Sequence, residues 1–331
     1  MSRTNCGCGQ TPGTLTTTIA WRDVLGGWKV RWGFGRARYT VAPGLYRLGA
    51  PDSGSPVLVT ANYKLTVDAV RRSLVGLDVW LLVLDTKGVN VWCAAGKGTF
   101  GTEELVRRIQ AANLRDVVKH PELVVPQLGA TGVAAHEVKR ITGFSVHYGP
   151  VRARDIPAYL AAGMTATPAM RRVTFGWKER LAVAPVEIVA ALGPLLGVTA
   201  FVAALDVLRH HRPTTHALAG MAPFLAAVLT GGLLVPWLLP WLPFRTFALK
   251  GAVAGALVAA AMLWWLPLGA VEAAGVALLV VAITSYMAMT FTGSTTFTTL
   301  AGVRLEVRRA LPPILIAAGA GVVLWIAGEF V

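Results

Sequence analysis

The chain has 331 residues, 54% of them hydrophobic and only 15% charged, with 31 Lys/Arg against 17 Asp/Glu for a net charge of +14. Soluble domains hold about 45–50% apolar and about 25% charged residues, so a wholly soluble protein is excluded. The three cysteines, Cys6, Cys8 and Cys93, are too few and too uneven for a disulfide framework, and with no basic-then-apolar leader at the start the first half is expected in the reducing cytoplasm.

Composition divides the chain near residue 183. Residues 1–183 carry 24 Lys/Arg and 12 Asp/Glu, whereas residues 184–331 carry 7 and 5 and nearly all of the apolar excess. A basic domain tethered to a bilayer faces anionic headgroups, each basic residue near the surface contributing roughly 1 kcal/mol. No Lys/Arg run is interleaved with aromatics, so no nucleic-acid partner is expected.

In chain order, a polar Gly/Thr-rich tail occupies residues 1–35. An α/β domain follows over 36–165. PVLVT (56–60) reads as a strand, LTVDAVRRSLV (65–75) as a helix and DVWLLVLD (78–85) as a buried strand. VNVWC (89–93) is a second apolar run that ends on Cys93. TEELVRRIQAANL (102–114) is a helix with Thr99 or Thr102 as its N-cap and acids in its first turn. ELVVPQ (122–127), HEVKRITG (136–143), FSVHYG (144–149) and RDIPAYLAAG (154–163) continue as strand, helix, strand, helix. This alternation predicts a largely parallel, Rossmann-like sheet covered on both faces, with ligands beyond the carboxyl ends of its strands. Cys93 is placed at such an end.

After a linker (166–183), residues 184–331 give five apolar spans, about 188–208, 216–239, 247–266, 270–290 and 311–328, and an all-α transmembrane domain. With the N-terminal domain inside, the inner flanks hold nine Lys/Arg and the outer loops two, Arg209 and Arg212. The positive-inside rule then puts the first domain and the 290–309 loop in the cytoplasm, on the inner face of the cytoplasmic membrane. Glu187, Asp206 and Glu272 fall near span ends and not at span centres, which favours an anchor or docking platform over a transport path.

GKGTFG (96–101) has the glycine spacing of a dinucleotide loop, but the acid expected about 20 residues on is missing, because the next strand ends Val125-Pro126-Gln127. Small residues at a helix start still let a flat ligand approach the backbone, and free N–H groups there are expected to lower the Cys93 thiol pKa. The residues by themselves leave Cys93 open between a buried inert thiol and a nucleophile or metal ligand. No Cys/His partners stand near it at zinc spacing.

Asn90-Val91-Trp92-Cys93-Ala94-Ala95-Gly96-Lys97 resembles the signature of the membrane corrinoid proteins of microbial mercury methylation. The wider domain, roughly 40–165, resembles the corrinoid-binding domain of the corrinoid iron–sulfur protein large subunit of acetyl-CoA synthesis. That likeness rests on VLVTANYKLT (57–66), NVWCAAGKGTFGTEEL, QLGATGVAAHEVKRITGF (127–144) and YGPVRARDIPAYL (148–160). At 300–303 the chain reads Leu-Ala-Gly-Val where the family commonly has Ser-Gly-Val.

The resemblance implies cobalamin or a related corrinoid, bound base-off and Cys-on, with Cys93 as the lower axial ligand to cobalt. A cap helix from Cys93 would lie under the ring, formed by Asn90, Val91, Trp92, Ala94, Ala95, Gly96, Lys97, Gly98 and Thr99. Thr60 and Asn62 would share that pocket. Gln127, Gly129, Gly132 and Val133, with Tyr148, Gly149 and Pro150, would hold the corrin periphery and nucleotide tail. The DxHxxG pattern of other cobalamin proteins is absent, and His136 and His147 read as ordinary helix and strand residues.

The implied reaction passes a methyl group from methyl-cobalt(III) to Hg(II), giving methylmercury. The delivery is carbanion-like, with homolytic transfer as the alternative, and a thiolate trans to the methyl favours departure with the bonding electrons. A methyltetrahydrofolate-linked donor and a ferredoxin with two 4Fe–4S clusters are the implied partners, the ferredoxin because the chain has no cluster motif and cobalt must be re-reduced. Asn90 and Lys97 either tune the thiolate or contact the ring edge. Cys6-Gly7-Cys8 offers two thiols for Hg(II) capture. The alternative is a membrane-anchored corrinoid methyl carrier of one-carbon metabolism with another acceptor. A transporter with a regulatory cytoplasmic domain is the third reading.

Overall fold

The computed structural model describes residues 11–210, 215–266, 268–295 and 297–328, so Cys6 and Cys8 lie outside the described residues. The chain divides into two compact units, the first ending at Val173 and the second beginning at Thr174, with Arg31–Gly33 grouped with the second.

The first unit is built on a six-stranded mixed sheet. Its strands are β1 (Gly13–Thr14), β2 (Gly44–Leu48), β3 (Val57–Ala61), β4 (Val79–Leu84), β5 (Glu122–Val125) and β6 (Ser145–Tyr148), ordered β1-β2-β4-β3-β5-β6. β4, β3, β5 and β6 are mutually parallel, and β2 runs antiparallel to β4. Every residue of β3 (VLVTA) and β4 (VWLLVL) is buried. That is the signature of central parallel strands covered on both faces. On one face lie α3 (Val91–Lys97), α4 (Thr102–Ala111) and α6 (Ala135–Thr142), which bury Ala94, Leu105, Ile109 and Val138. On the other lie α2 (Lys64–Ser73) and α7 (Ile156–Ala161), packing Val67, Val70 and Tyr159. One further turn of helix, α5 (Leu114–Val117), precedes β5.

Three expectations are corrected. The 89–93 run does not lead Cys93 to a strand end: β4 stops at Leu84, the chain turns through Lys87 and Gly88 at positive φ, and Cys93 lies inside α3. The N-cap of α4 is Gly101, because the Thr102 hydroxyl is occupied in accepting from the Ala134 N–H at 2.8 Å. The stretch read as tail contains a helix, α1 (Trp21–Arg31), and the antiparallel strand β2 lay unmarked before the first expected strand.

An ion cluster holds α1 to the domain. Asp23 accepts from Lys64 Nζ at 2.6 Å and Arg71 Nη2 at 2.5 Å, and both cations also bind Asp68. Burial alone would raise the Asp23 carboxyl, but the hydrogen bonds from Lys64 and Arg71 outweigh it and lower its pKa from 3.8 to about 2. The carboxyl is depressed on folding, so its contribution is present above pH ~4 and is lost as pH falls toward ~2. Asp23→Asn is therefore expected to cost about 2 kcal/mol at neutral pH. In thermal melts the gap to wild type should close as pH falls from about 4 to about 2; a gap that stays constant over that window would refute the assignment.

The second unit is helical: a short helix Trp177–Leu181, then long apolar helices Ala184–His210, Thr215–Leu229 continued through a π turn (Thr230–Leu234) into Val235–Leu238, Phe247–Leu263, Ala270–Thr290 and Leu300–Gly328. Four of these are long and apolar enough to cross a membrane. The third expected span, 247–266, is met by a helix of 17 residues, Phe247–Leu263. At 1.5 Å per residue it reaches about 25 Å, short of a ~30 Å hydrocarbon core. Exposed Trp264 and Trp265 follow it, a composition suited to the membrane interface. Gly251 lets its backbone approach Thr284 and Ser285 of the next helix, the small-residue contact by which membrane helices pack. Arg180 donates to the carbonyls of Pro236 and Trp237, and Lys250 to those of Leu239 and Leu242. Two cations thus satisfy carbonyls at a helix end that have no intrahelical partner.

Candidate functional site

The candidate residues gather around the carboxyl ends of β3, β4, β5 and β6. Their centre is α3. Asn90 caps this helix, its side-chain oxygen accepting from Cys93 N–H at 2.9 Å, and Gly98 closes it in the left-handed region at φ 81°. Val91, Ala94 and Ala95 are buried in the core of the domain. Cys93 is half-buried on the outer side, followed by exposed Gly96 and Lys97. Small residues underneath let the helix lie low, and the thiol is left accessible.

Burial pushes the Cys93 thiol above its ordinary value, an effect only partly offset by the charges of Lys97 and Arg36 and by Asn90. The expected lowering by the helix start is therefore corrected. A helix of seven residues offers little dipole, and desolvation wins. The sulfur is held as a thiol until something with a stronger claim on it displaces the proton.

The other expected residues divide into two groups. Several work within the protein. Thr60 is buried in β3. The Asn62 side-chain oxygen accepts from the N–H groups of Thr86 (3.2 Å) and Gly88 (3.0 Å), so this residue shapes the loop leading to α3. A Cβ on Gly129 would meet the Phe100 ring at 2.4 Å, and one on Gly132 the Phe100 carbonyl at 2.1 Å. These two glycines make room for Phe100. The Tyr148 hydroxyl donates to the Val133 carbonyl at 2.7 Å, Gly149 N–H donates to Val125, and Pro150 is buried. Gln127 accepts from Arg171. Trp92, Gly96, Lys97, Gly98 and Thr99 form the second group, exposed or half-buried along α3.

Four residues escaped the sequence reading: Arg36, Thr86, Phe100 and Glu104. Glu104 accepts from Asp85 N–H at 2.8 Å and so ties α4 to the end of β4. An acid in the first turn of α4 was visible, but its partner lies 19 residues away. The two histidines lie where expected, His136 in α6 and His147 in β6.

A corrinoid fits these residues. Among the described residues no group of three or more His, Cys, Asp or Glu is arranged to hold a bare metal ion. A corrinoid already encloses its metal, so the protein need supply few donors, and Cys93 on α3 is the residue that would hold it. A Cβ on Gly96 would meet nothing within 4 Å. The glycine is therefore not required by the protein's own packing, and it leaves clear space one helical turn beyond the thiol for a flat ligand. A cavity of ≈ 570 Å³ lies elsewhere, near the amino ends of the strands around Val57, Val79, His120 and Glu122.

Residues 35–160 match the family described as CO dehydrogenase/acetyl-CoA synthase delta subunit. The acetyl-CoA decarbonylase/synthase complex subunit gamma of Methanopyrus kandleri is 38% identical over 122 residues, 36% of this chain and 26% of that protein. The Moorella thermoacetica corrinoid/iron-sulfur protein large subunit is 31% identical over 124 residues, 37% of this chain and 27% of that protein. The first unit is similar to corrinoid proteins. This corrinoid-protein-like domain spans only about a quarter of the length of those relatives. The four helices long and apolar enough to cross a membrane lie outside the family match, which ends at residue 160.

Proposed function

We propose that the chain is a membrane-anchored corrinoid protein that carries a methyl group and passes it to Hg(II), giving methylmercury. The observation that carries the reading is the lone Cys93 thiol on the open side of α3, beside a glycine that nothing in the protein demands. When bound, the corrinoid supplies a cobalt that accepts and releases the methyl group.

The chain's own residues then have definite tasks. Cys93 would lose its proton to solvent and hold the cobalt through its sulfur. The electron density it supplies would favour a methyl group leaving with the bonding pair, which suits an electrophilic acceptor. Asn90 fixes the helix start by bonding the Cys93 N–H. Lys97 and Arg36 place positive charge near the sulfur and limit the cost of its ionisation. The spans hold the domain against the cytoplasmic face of the inner membrane. Electrons come from a two-cluster ferredoxin, and the methyl group from a methyltetrahydrofolate-linked donor. Hg(II) as acceptor rests on the signature around Cys93 together with the membrane helices. The second reading, a methyl carrier of one-carbon metabolism with another acceptor, is favoured by the names of the matching relatives. Anaerobic assay of the corrinoid-loaded full chain with the reduced ferredoxin decides between them: methylmercury formation supports the first, and methyl transfer that ignores Hg(II) supports the second.

Gly96→Ala separates ligand space from protein packing. The added methyl meets no protein atom, and alanine is the better helix former by about 0.5–1 kcal/mol. The melting temperature should hold or rise, while corrinoid affinity drops by about tenfold or more, equivalent to ~1.4 kcal/mol. Unchanged affinity in an equilibrium titration would remove the ring from this face of α3.

A further inference from the structure

The helix α1 presents a face that the function above leaves unused. Trp21 is 71% exposed, Leu25 50% and Trp28 63%. Their spacing of four and then three residues puts all three on one side of the helix. Gly27 and Val30 are buried on the opposite side. That side is also where Asp23, the helix's one acid, is bound by Lys64 and Arg71 and where the Tyr39 hydroxyl donates to the Asp23 carbonyl. The exposed face therefore carries no negative charge. Arg22 and Lys29 are exposed along its flank.

Soluble proteins rarely leave two tryptophans and a leucine in one open stripe. Tryptophan is the side chain that settles at a membrane–water interface, and flanking cations attract anionic headgroups. The chain brings such a surface with it, through its membrane-spanning helices.

We propose that the Trp21/Leu25/Trp28 face of α1 is an interfacial membrane-docking surface, with the helix lying in the headgroup layer of an anionic bilayer and Arg22 and Lys29 meeting lipid phosphates. The Asp23–Lys64–Arg71 cluster makes the helix part of the domain, so binding at α1 fixes the domain's orientation to the membrane. The occupant is lipid and not protein, because the stripe is aromatic with a cationic border and has no acceptor or acid in it to match a polypeptide partner.

The test is hydrogen exchange of the full chain in three settings: lipid-free amphipol, discs of phosphatidylcholine, and discs of phosphatidylcholine with phosphatidylglycerol. Exchange of the 21–31 amides should slow by about tenfold or more only in the anionic discs, while β3 and β4 peptides exchange alike in all three. Trp28→Glu with Leu25→Glu should abolish that slowing. Equal exchange in the three settings overturns the proposal. So does protection already present in amphipol, which means a protein contact, or protection of equal size in both kinds of disc. The wild-type comparison decides by itself if the double variant fails to fold.

Discussion

Under the proposed function, Cys93→Ala is expected to leave a folded chain whose bound corrinoid would lack sulfur ligation, with methyl transfer lower by about 100-fold or more. The side chain is half-buried and outside the hydrophobic core clusters. The bond that fixes the helix start uses the Cys93 backbone N–H, which alanine keeps. Stability should therefore move by no more than about 0.5 kcal/mol. The decisive readouts are the absorption and EPR spectra of the loaded protein, in which thiolate coordination should disappear, and anaerobic methyl transfer. Wild-type transfer by the variant would end the case for cobalt–sulfur chemistry here. A collapsed melting curve would instead move Cys93 into the packing of the fold.

Gly132→Ala is expected to be the most damaging conservative change away from the thiol. The new methyl would lie 2.1 Å from the Phe100 carbonyl and 3.2 Å from Ala95 Cα, both backbone atoms. Neither can move without shifting the loop that closes α3. Gly132 also accepts from Thr102 N–H at 3.1 Å, so the start of α4 is drawn in. Overpacking of this kind costs about 1–3 kcal/mol. The variant should melt lower, and hydrogen exchange should accelerate over residues 94–102 while the membrane helices are unaffected. A variant as stable as wild type would show that the 129–133 turn is free of α3. Paired with Gly96→Ala, it distinguishes a glycine required by the protein from one kept clear for a ligand.

The sequence exposed those parts of the fold in which local pattern and global role coincide. The apolar runs of β3 and β4 are continuous because both sheet faces are covered, and the acidic first turn of α4 marks a helix start on its own. The cap helix was harder to see. VWCAAGK is short and apolar and carries β-formers at its start, so periodicity cannot tell it from a strand. What decides is the turn at Lys87 and Gly88 and the Asn90 cap. The α1 helix was obscured by Gly26, Gly27 and a polar preface. Its stability comes from Lys64 and Arg71, some 40 residues or more away. At the candidate site, the residue types around Cys93 left its role open, and the resemblance to corrinoid proteins is what singled it out. The tasks of Asn62, Gly129 and Gly132 were not, because each is set by an atom distant in sequence.

The floor beneath α3 has a further consequence. Val91, Ala94 and Ala95 are the buried residues of α3, and two of the three are alanines. With single methyl groups at those two positions the helix packs closely on the domain. A bulkier side chain at 94 or 95 would push the helix outward and carry the thiol with it. The placement of the cysteine is thus adjustable from behind, by residues on the buried side of its own helix.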